Sequence, residues 1–177
     1  MYTEHQAKEV LARAGVDCPL GMLATSAAGA VTAAAELGPP VALKLQSRDI
    51  PHKTESGGVA LNLLESALIS STYTAMVQSA HDQFSSARID GVRVERMAGL
   101  GIELIVGVHH DHDFGLLLSV GSGGILVEVL NDIVTTPLPV NHRQARALIT
   151  GLRCMPLLKG VRGQSGSDMD ALVNLLV

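Results

Sequence analysis

The stretch from Gly38 to Val59 constrains the fold of this chain more than any other. Gly38-Pro39-Pro40 ends whatever element precedes it, because consecutive prolines donate no backbone N–H and hold the chain extended. Val41–Gln46 then alternates, with Val41, Leu43 and Leu45 on one side and Ala42, Lys44 and Gln46 on the other, which is the period of a strand. Arg48–Ser56 is polar, contains Pro51 and reads as a loop, and Gly57-Gly58 leads into a second strand at Val59–Leu63. Lys44 in that setting either runs its stem out to solvent or presents a compact cation to a cleft, where it suits phosphate oxygens. His52 in the loop is either an ordinary surface histidine or a phosphoryl acceptor, a role that imidazole can fill near neutral pH.

The rest of the chain supplies helices first and strands later. Thr3 and Gln6 form a capping box ahead of Ala7, Val10, Leu11 and Ala14, which share one apolar stripe and predict a first helix ending at Gly15. Leu20–Thr25 predicts a weak strand, and Ser26 caps a second helix with Ala27, Ala30, Val31 and Ala34 on its buried side. Ile69, Tyr73, Met76, Val77, Ala80 and Phe84 keep helical spacing. From Gly91 on, strands are predicted at Val92–Met97, Ile102–His109, Phe114–Val120 and Ile125–Leu130, followed by a helix capped by Asn141 and a last one carrying Met169, Leu172, Val173 and Leu176. This order is an α+β pattern without internal repeats.

Composition narrows the function. Hydrophobic residues make up 47% of the 177 and aromatics 2%, so the core is aliphatic; charged residues, at 17%, are too few for a disordered chain. A net charge of -4 without any basic run suggests no nucleic-acid partner. No apolar run is long enough to span a membrane and Thr3–Ala14 does not read as a signal peptide, so the expected location is cytoplasmic. Cys18 and Cys154 form neither a disulfide framework nor a metal-ligand spacing. Glu95 and Met97 fall on one side of a predicted strand, and Glu103, among apolar neighbours, requires a partner, whether a ribose hydroxyl pair or an arginine. Glu128 and Asp132 pose the same question. Gly57, Gly58, Gly123 and Gly124 are either tight turns or places where backbone N–H groups approach phosphate. His109–Asp113 holds three histidines, but neighbours on a strand point to opposite faces, so they do not converge on a metal.

In order along the chain, Pro40–Lys44, Asp49–Val59, Val94–Met97, Gly101–Val108, Phe114-Gly115, Gly123–Asp132 and Pro156–Gly163 resemble the ATP-grasp domain of NDP-forming acyl-CoA synthetases, the beta part of ADP-forming acetyl-CoA synthetase. The resemblance implies an ATP-grasp fold with two small lobes around a nucleotide cleft: residues 1–90 an N-terminal lobe with the phosphohistidine loop, residues 91–177 a shortened C-terminal lobe. It implies that Lys44 contacts ATP phosphates, that Glu95, Arg96 and Met97 form a hinge reading adenine through the main chain, that Glu103 holds ribose, and that His52 carries the phosphoryl group. Gly57, Gly58, Gly123, Gly124, Glu128 and Asp132 fall near phosphate or metal, with ATP or ADP and Mg2+ as cofactors; the metal ligands themselves are not identified. Implied partners are CoA-binding and CoA-ligase domains, in the same polypeptide or a separate subunit. The family's magnesium ligands lie in a final pair of strands past the last helix, where this sequence stops, and Thr136 stands where the family commonly has arginine. That leaves a second expectation, a non-catalytic ATP-grasp sensor or regulatory module without a metal site.

Overall fold

The structure, a computed structural model, describes residues 2–50, 53–54, 56–124, 131–161, 163 and 165–177. The chain divides into two compact units, Met1–Gly99 and Leu100–Val177.

The first unit contains α1 (Glu4–Arg13), β1 (Gly21–Ala24), α2 (Ala27–Leu37), β2 (Val41–Ser47), β3 (Val59–Leu63), α3 (Ser66–Gln83) and β4 (Ile89–Arg96). Its strands form one antiparallel sheet in the order β1-β4-β2-β3. An expected boundary between residues 90 and 91 would cut β4 near its start. The division falls after Gly99 because β4 lies inside the sheet, paired to β1 on one side and β2 on the other.

The two sides of β2 have different fates. Val41, Leu43 and Leu45 join Val92, Val94, Ala24 and Leu63 in a core closed by Ala30, Ala33 and Ala34 of α2 and by Ile69, Tyr73, Met76 and Ala80 of α3. Each Val, Leu, Ile or Met among them contributes about 1.5–3 kcal/mol when fully buried, and each alanine less. Ser26 caps α2 by accepting from the Gly29 N–H, as its sequence position predicts. On the opposite side, the register aligns Ala42 with Glu95, Lys44 with Arg93 and Gln46 with Gly91. That side is polar, and α1 is fastened to it.

α1 departs from expectation. Its capping box forms as predicted, but no residue of the helix is buried, and Val10 and Leu11 of the expected apolar stripe are 47% and 45% exposed. The His5 N–H donates to Gln46 Oε1 at 2.8 Å. The buried Gln46 amide donates in turn to the carbonyls of Lys44 and Leu45.

The second unit is a three-stranded antiparallel meander, β5 (Leu104–Asp111), β6 (Gly115–Ser122) and β7 (Ile133–Pro137), followed by α4 (His142–Thr150), α5 (Met155–Leu158) and α6 (Met169–Leu176). Leu118 and Val120 of β6 pack with Val140, Ala145, Leu148, Ile149, Leu152, Met155, Leu158, Val173 and Leu176. Asn141 and Gln144 make the capping box of α4, and Asp168 caps α6. β7 and the one-turn α5 were not anticipated. The predicted strand at Ile125–Leu130 lies outside the described residues. β5 begins at Leu104, two residues later than expected, so Glu103 stands before the strand and is exposed rather than embedded in it.

Candidate nucleotide-binding site

Ion pairs crowd the polar side of the first sheet. Glu95 is 3% exposed. One carboxylate oxygen accepts from Lys44 Nζ at 2.7 Å; the other accepts from Lys8 Nζ at 2.5 Å and Arg93 Nε at 2.8 Å. Glu4, in the first turn of α1, accepts on one oxygen from Lys8 and Lys44, both at 2.9 Å, and on the other from Lys53. Arg93 completes the set, donating to the Pro19 carbonyl and to His5 Nδ1. Its guanidinium lies against Gly21, where an added Cβ would sit 2.6 Å from it, so a larger residue there would push Arg93 out of its present position.

Three local rules build this cluster. Glu4 and Lys8 are one helical turn apart on α1. Arg93 and Glu95 are two residues apart on β4 and so share a side of the sheet. Strand pairing sets Lys44 opposite Arg93 and diagonal to Glu95. Among the described residues, four cations surround two carboxylates, so this set retains positive charge even when fully paired.

The titrations follow from the pairing. Burial pushes both carboxyls up, but hydrogen bonds from Lys53, Lys8 and Lys44 hold Glu4 well below the usual carboxylate range, and those from Lys44, Lys8 and Arg93 hold Glu95 low as well. Burial pushes Lys44 down, and the bonds to Glu95 and Glu4 outweigh it, so its ammonium is raised. A carboxylate lowered on folding stabilises the protein above its unfolded pKa, about 4.3 for glutamate, and that contribution is lost as pH falls through the folded value. Thermal stability is therefore expected to decline as acid is added below about pH 5. Glu4→Gln is expected to flatten part of this acid limb in a melting series; an unchanged limb in the variant would dismiss Glu4 as a source.

Of the residues singled out by sequence, Lys44 and Glu95 come together directly. Arg96 is exposed and Met97 half-buried. Both line a cavity of about 380 Å³ with Asp17, Cys18, Pro19, Leu20 and Ala98. The expected main-chain hinge is partly committed: the Arg96 N–H donates to the Leu20 carbonyl at 2.9 Å and the Met97 N–H to the Pro40 carbonyl at 3.3 Å. Gly57 and Gly58 form a turn in which their N–H groups donate to the carbonyls of Thr54 and Lys53. His52 and Glu128 lie outside the described residues.

In the second unit, Glu103 rests against the glycine pair. Its carbonyl accepts from the Gly123 N–H at 2.7 Å, and a Cβ on Gly124, which has φ +57°, would meet its carboxylate at 3.0 Å. Asp132 is buried and turned inward. Its two oxygens accept from the N–H groups of Arg153 and Cys154, each at 2.9 Å, tying the residue just before β7 to the turn that opens α5. Burial pushes the Asp132 carboxyl up, and these backbone bonds bring it below its ordinary value. Asp132 is thus a structural bridge, which the sequence could not separate from a site near metal. Among the described residues no three His, Cys, Asp or Glu side chains are grouped to hold a metal ion. In the hairpin of residues 109–113, Asp111 builds the turn, accepting from the N–H groups of Asp113 and Phe114. No helix among the described residues is long and apolar enough to cross a membrane.

The α+β fold with its two antiparallel sheets is that of an ATP-grasp domain. The family of that description matches residues 1–177, and the chain belongs to it. The beta subunit of ADP-forming acetate–CoA ligase II from Pyrococcus furiosus is 35% identical over 174 residues, covering 98% of this chain and 74% of that subunit. The ADP-forming 4-hydroxybutyrate–CoA ligase of Nitrosopumilus maritimus is 37% identical over 166 residues, covering 94% of this chain and 24% of that protein. Acetyl-coenzyme A synthetase 1 of Ca. Korarchaeum cryptofilum, in complex with coenzyme A, Ca-AMPCP and HgCl+, matches with a TM-score of 0.92 at 32% identity over 98% of this chain and 76% of that one. A second structure of it, with coenzyme A and Mg-AMPPCP and its phosphohistidine segment pointing towards the nucleotide binding site, matches with a TM-score of 0.81 at 29% identity over 98% and 74%. The chain therefore spans about three quarters of the separate subunit and about a quarter of the single-chain ligase.

Proposed function

We propose that this chain is the nucleotide-binding, phosphohistidine-carrying part of an ADP-forming acyl-CoA synthetase, which interconverts acyl-CoA, ADP and phosphate with carboxylate, CoA and ATP. The observation that carries the reading is the cationic cluster around Lys44, on a chain whose family is ATP-grasp throughout its length. The excess positive charge suits the phosphates of ATP or ADP, and a lysine on a strand is a point charge held by a rigid element. Arg96 and Met97, which line a cavity of the first unit, would bound the base, and the ribose role of Glu103 rests on the family resemblance alone.

His52 would carry the phosphoryl group between two sites. An imidazole nitrogen attacks the phosphorus of an acyl phosphate, a P–N bond forms and the carboxylate leaves. The P–N bond then breaks as a β-phosphate oxygen of ADP attacks, giving ATP and free imidazole. The acyl phosphate would come from CoA-binding and CoA-ligase domains; the Pyrococcus furiosus relative is a beta subunit of its ligase. Asp132, turned onto backbone N–H groups, does not suit magnesium, so a metal would enter on the nucleotide's phosphates.

The test is a labelling experiment with the CoA-ligase partner and acyl phosphate radiolabelled on phosphorus. Acid-labile, base-stable label is expected on the wild-type chain and none on His52→Ala. Equal label on both would overturn the carrier assignment. Label on neither, with ADP still bound in a titration, would favour the non-catalytic module.

A further inference from the structure

The two carboxylates of the cluster are not equivalent. Glu95 is enclosed, its side chain 4% exposed and fixed by Lys8, Lys44 and Arg93, two of which come from the sheet itself. Glu4 is 24% exposed and sits on α1, a helix with no buried residue. Yet Glu4 gathers lysines from three places: Lys8 of α1, Lys44 of β2 and Lys53 of the loop after β2. Three lysines brought to one partly exposed carboxylate are also a set of donors that phosphate oxygens could take over. If Glu4 turned outward, it would keep its helical neighbour Lys8 and the favourable end of the helix dipole, and would give up its bonds to Lys44 and Lys53. Lys44 would keep Glu95.

We propose that Glu4 is the resident counter-anion of a polyphosphate subsite: its carboxylate holds Lys44 and Lys53 at one point and is exchanged for phosphate oxygens when a nucleoside di- or triphosphate binds. That the polyphosphate belongs to a nucleotide rests on the proposed function; the exchange itself does not. Glu4 is then a positioning residue with a measurable counter-effect, since an anion already on the lysines lowers the apparent affinity of an incoming one by linkage.

The experiment titrates ADP and inorganic tripolyphosphate, separately, into the wild-type chain and into Glu4→Gln, with circular dichroism to verify folding. Glu4→Gln is expected to bind both roughly tenfold more tightly, a gain that loss of a merely structural contact would not produce. Glu4→Asp keeps the charge but is one methylene too short to reach all three lysines, and is expected to show a gain in the same direction should Glu4→Gln not fold. A gain for tripolyphosphate without any binding of ADP would uphold the exchange and remove the nucleotide reading. Equal or weaker binding of tripolyphosphate by both variants would overturn the exchange, whatever ADP does, and binding of neither probe by any form would overturn it too.

Discussion

Lys44→Met should weaken ADP binding roughly 100-fold, because it removes a desolvated charge partner of the kind whose loss costs about 2–5 kcal/mol. The change keeps the length and apolar stem of the side chain, so the β2 backbone and its pairing with β3 and β4 are left in place. Glu95 retains Lys8 and Arg93, and Glu4 retains Lys8 and Lys53, so neither carboxylate is stranded. The binding loss should therefore exceed the loss of thermal stability, and calorimetric titration beside a melting curve separates the two. Arginine at this position would keep the charge but not its compact shape, and is expected to restore only part of the affinity. Undiminished ADP binding by Lys44→Met would place the phosphate site elsewhere.

Glu95→Ala is expected to have the largest effect on stability. It leaves Arg93, only 4% exposed, without its charge partner and takes one carboxylate from Lys44 and another contact from Lys8. Removing one member of a buried ion pair typically costs about 3–5 kcal/mol, far more than the intact pair contributes, because the remaining charge stays desolvated. For a unit of this size each kcal/mol moves the melting midpoint by about 4–8 °C, so the first unit should melt more than about 12 °C lower. Glu95→Gln, which retains an acceptor of the same shape, should fall between wild type and alanine. A shift of only one or two degrees for Glu95→Ala would mean that water already reaches Arg93 and that the cluster is far less desolvated than its geometry indicates.

Local elements were the most legible from sequence. Thr3 with Gln6, Ser26, and Asn141 with Gln144 announce helix starts because caps depend on residues three apart. The alternation of β2 and the stripe of α3 were legible for the same reason. β7 was not, since Val134-Thr135-Thr136-Pro137 has too little alternation and its register is decided by Leu118 and Val120 across the strand pair. α1 misled because an apolar stripe states that a helix can be buried, not that a surface is available to cover it.

The candidate site was legible only in part. Lys44 and Glu95 stand out as odd residues in strands, but what surrounds them comes from a helix forty residues away and a loop whose distance closes only in three dimensions. Glu4 with Lys8 and Arg93 with Glu95 were local signals that could have been read: a charge pair at helical spacing and another at strand spacing. Asp132 shows the opposite limit. Its partners are the backbone N–H groups of Arg153 and Cys154, and a backbone group leaves no mark in a sequence.

The mounting of α1 has a consequence for how the first unit responds to its solvent. The core beneath the sheet is held by apolar packing, which rising concentrations of excluded salts such as sulfate strengthen. The helix above it is fastened by ion pairs and hydrogen bonds at side chains that are about one-fifth exposed; added salt does not strengthen these and weakens them, though less than it weakens fully exposed pairs. Ionic strength therefore acts on the two attachments in opposite directions. It loosens the one helix that carries Glu4 while leaving the scaffold that carries Lys44 intact, so the grip of Glu4 on the lysines is tied to the salt around the protein independently of the protein's own folding.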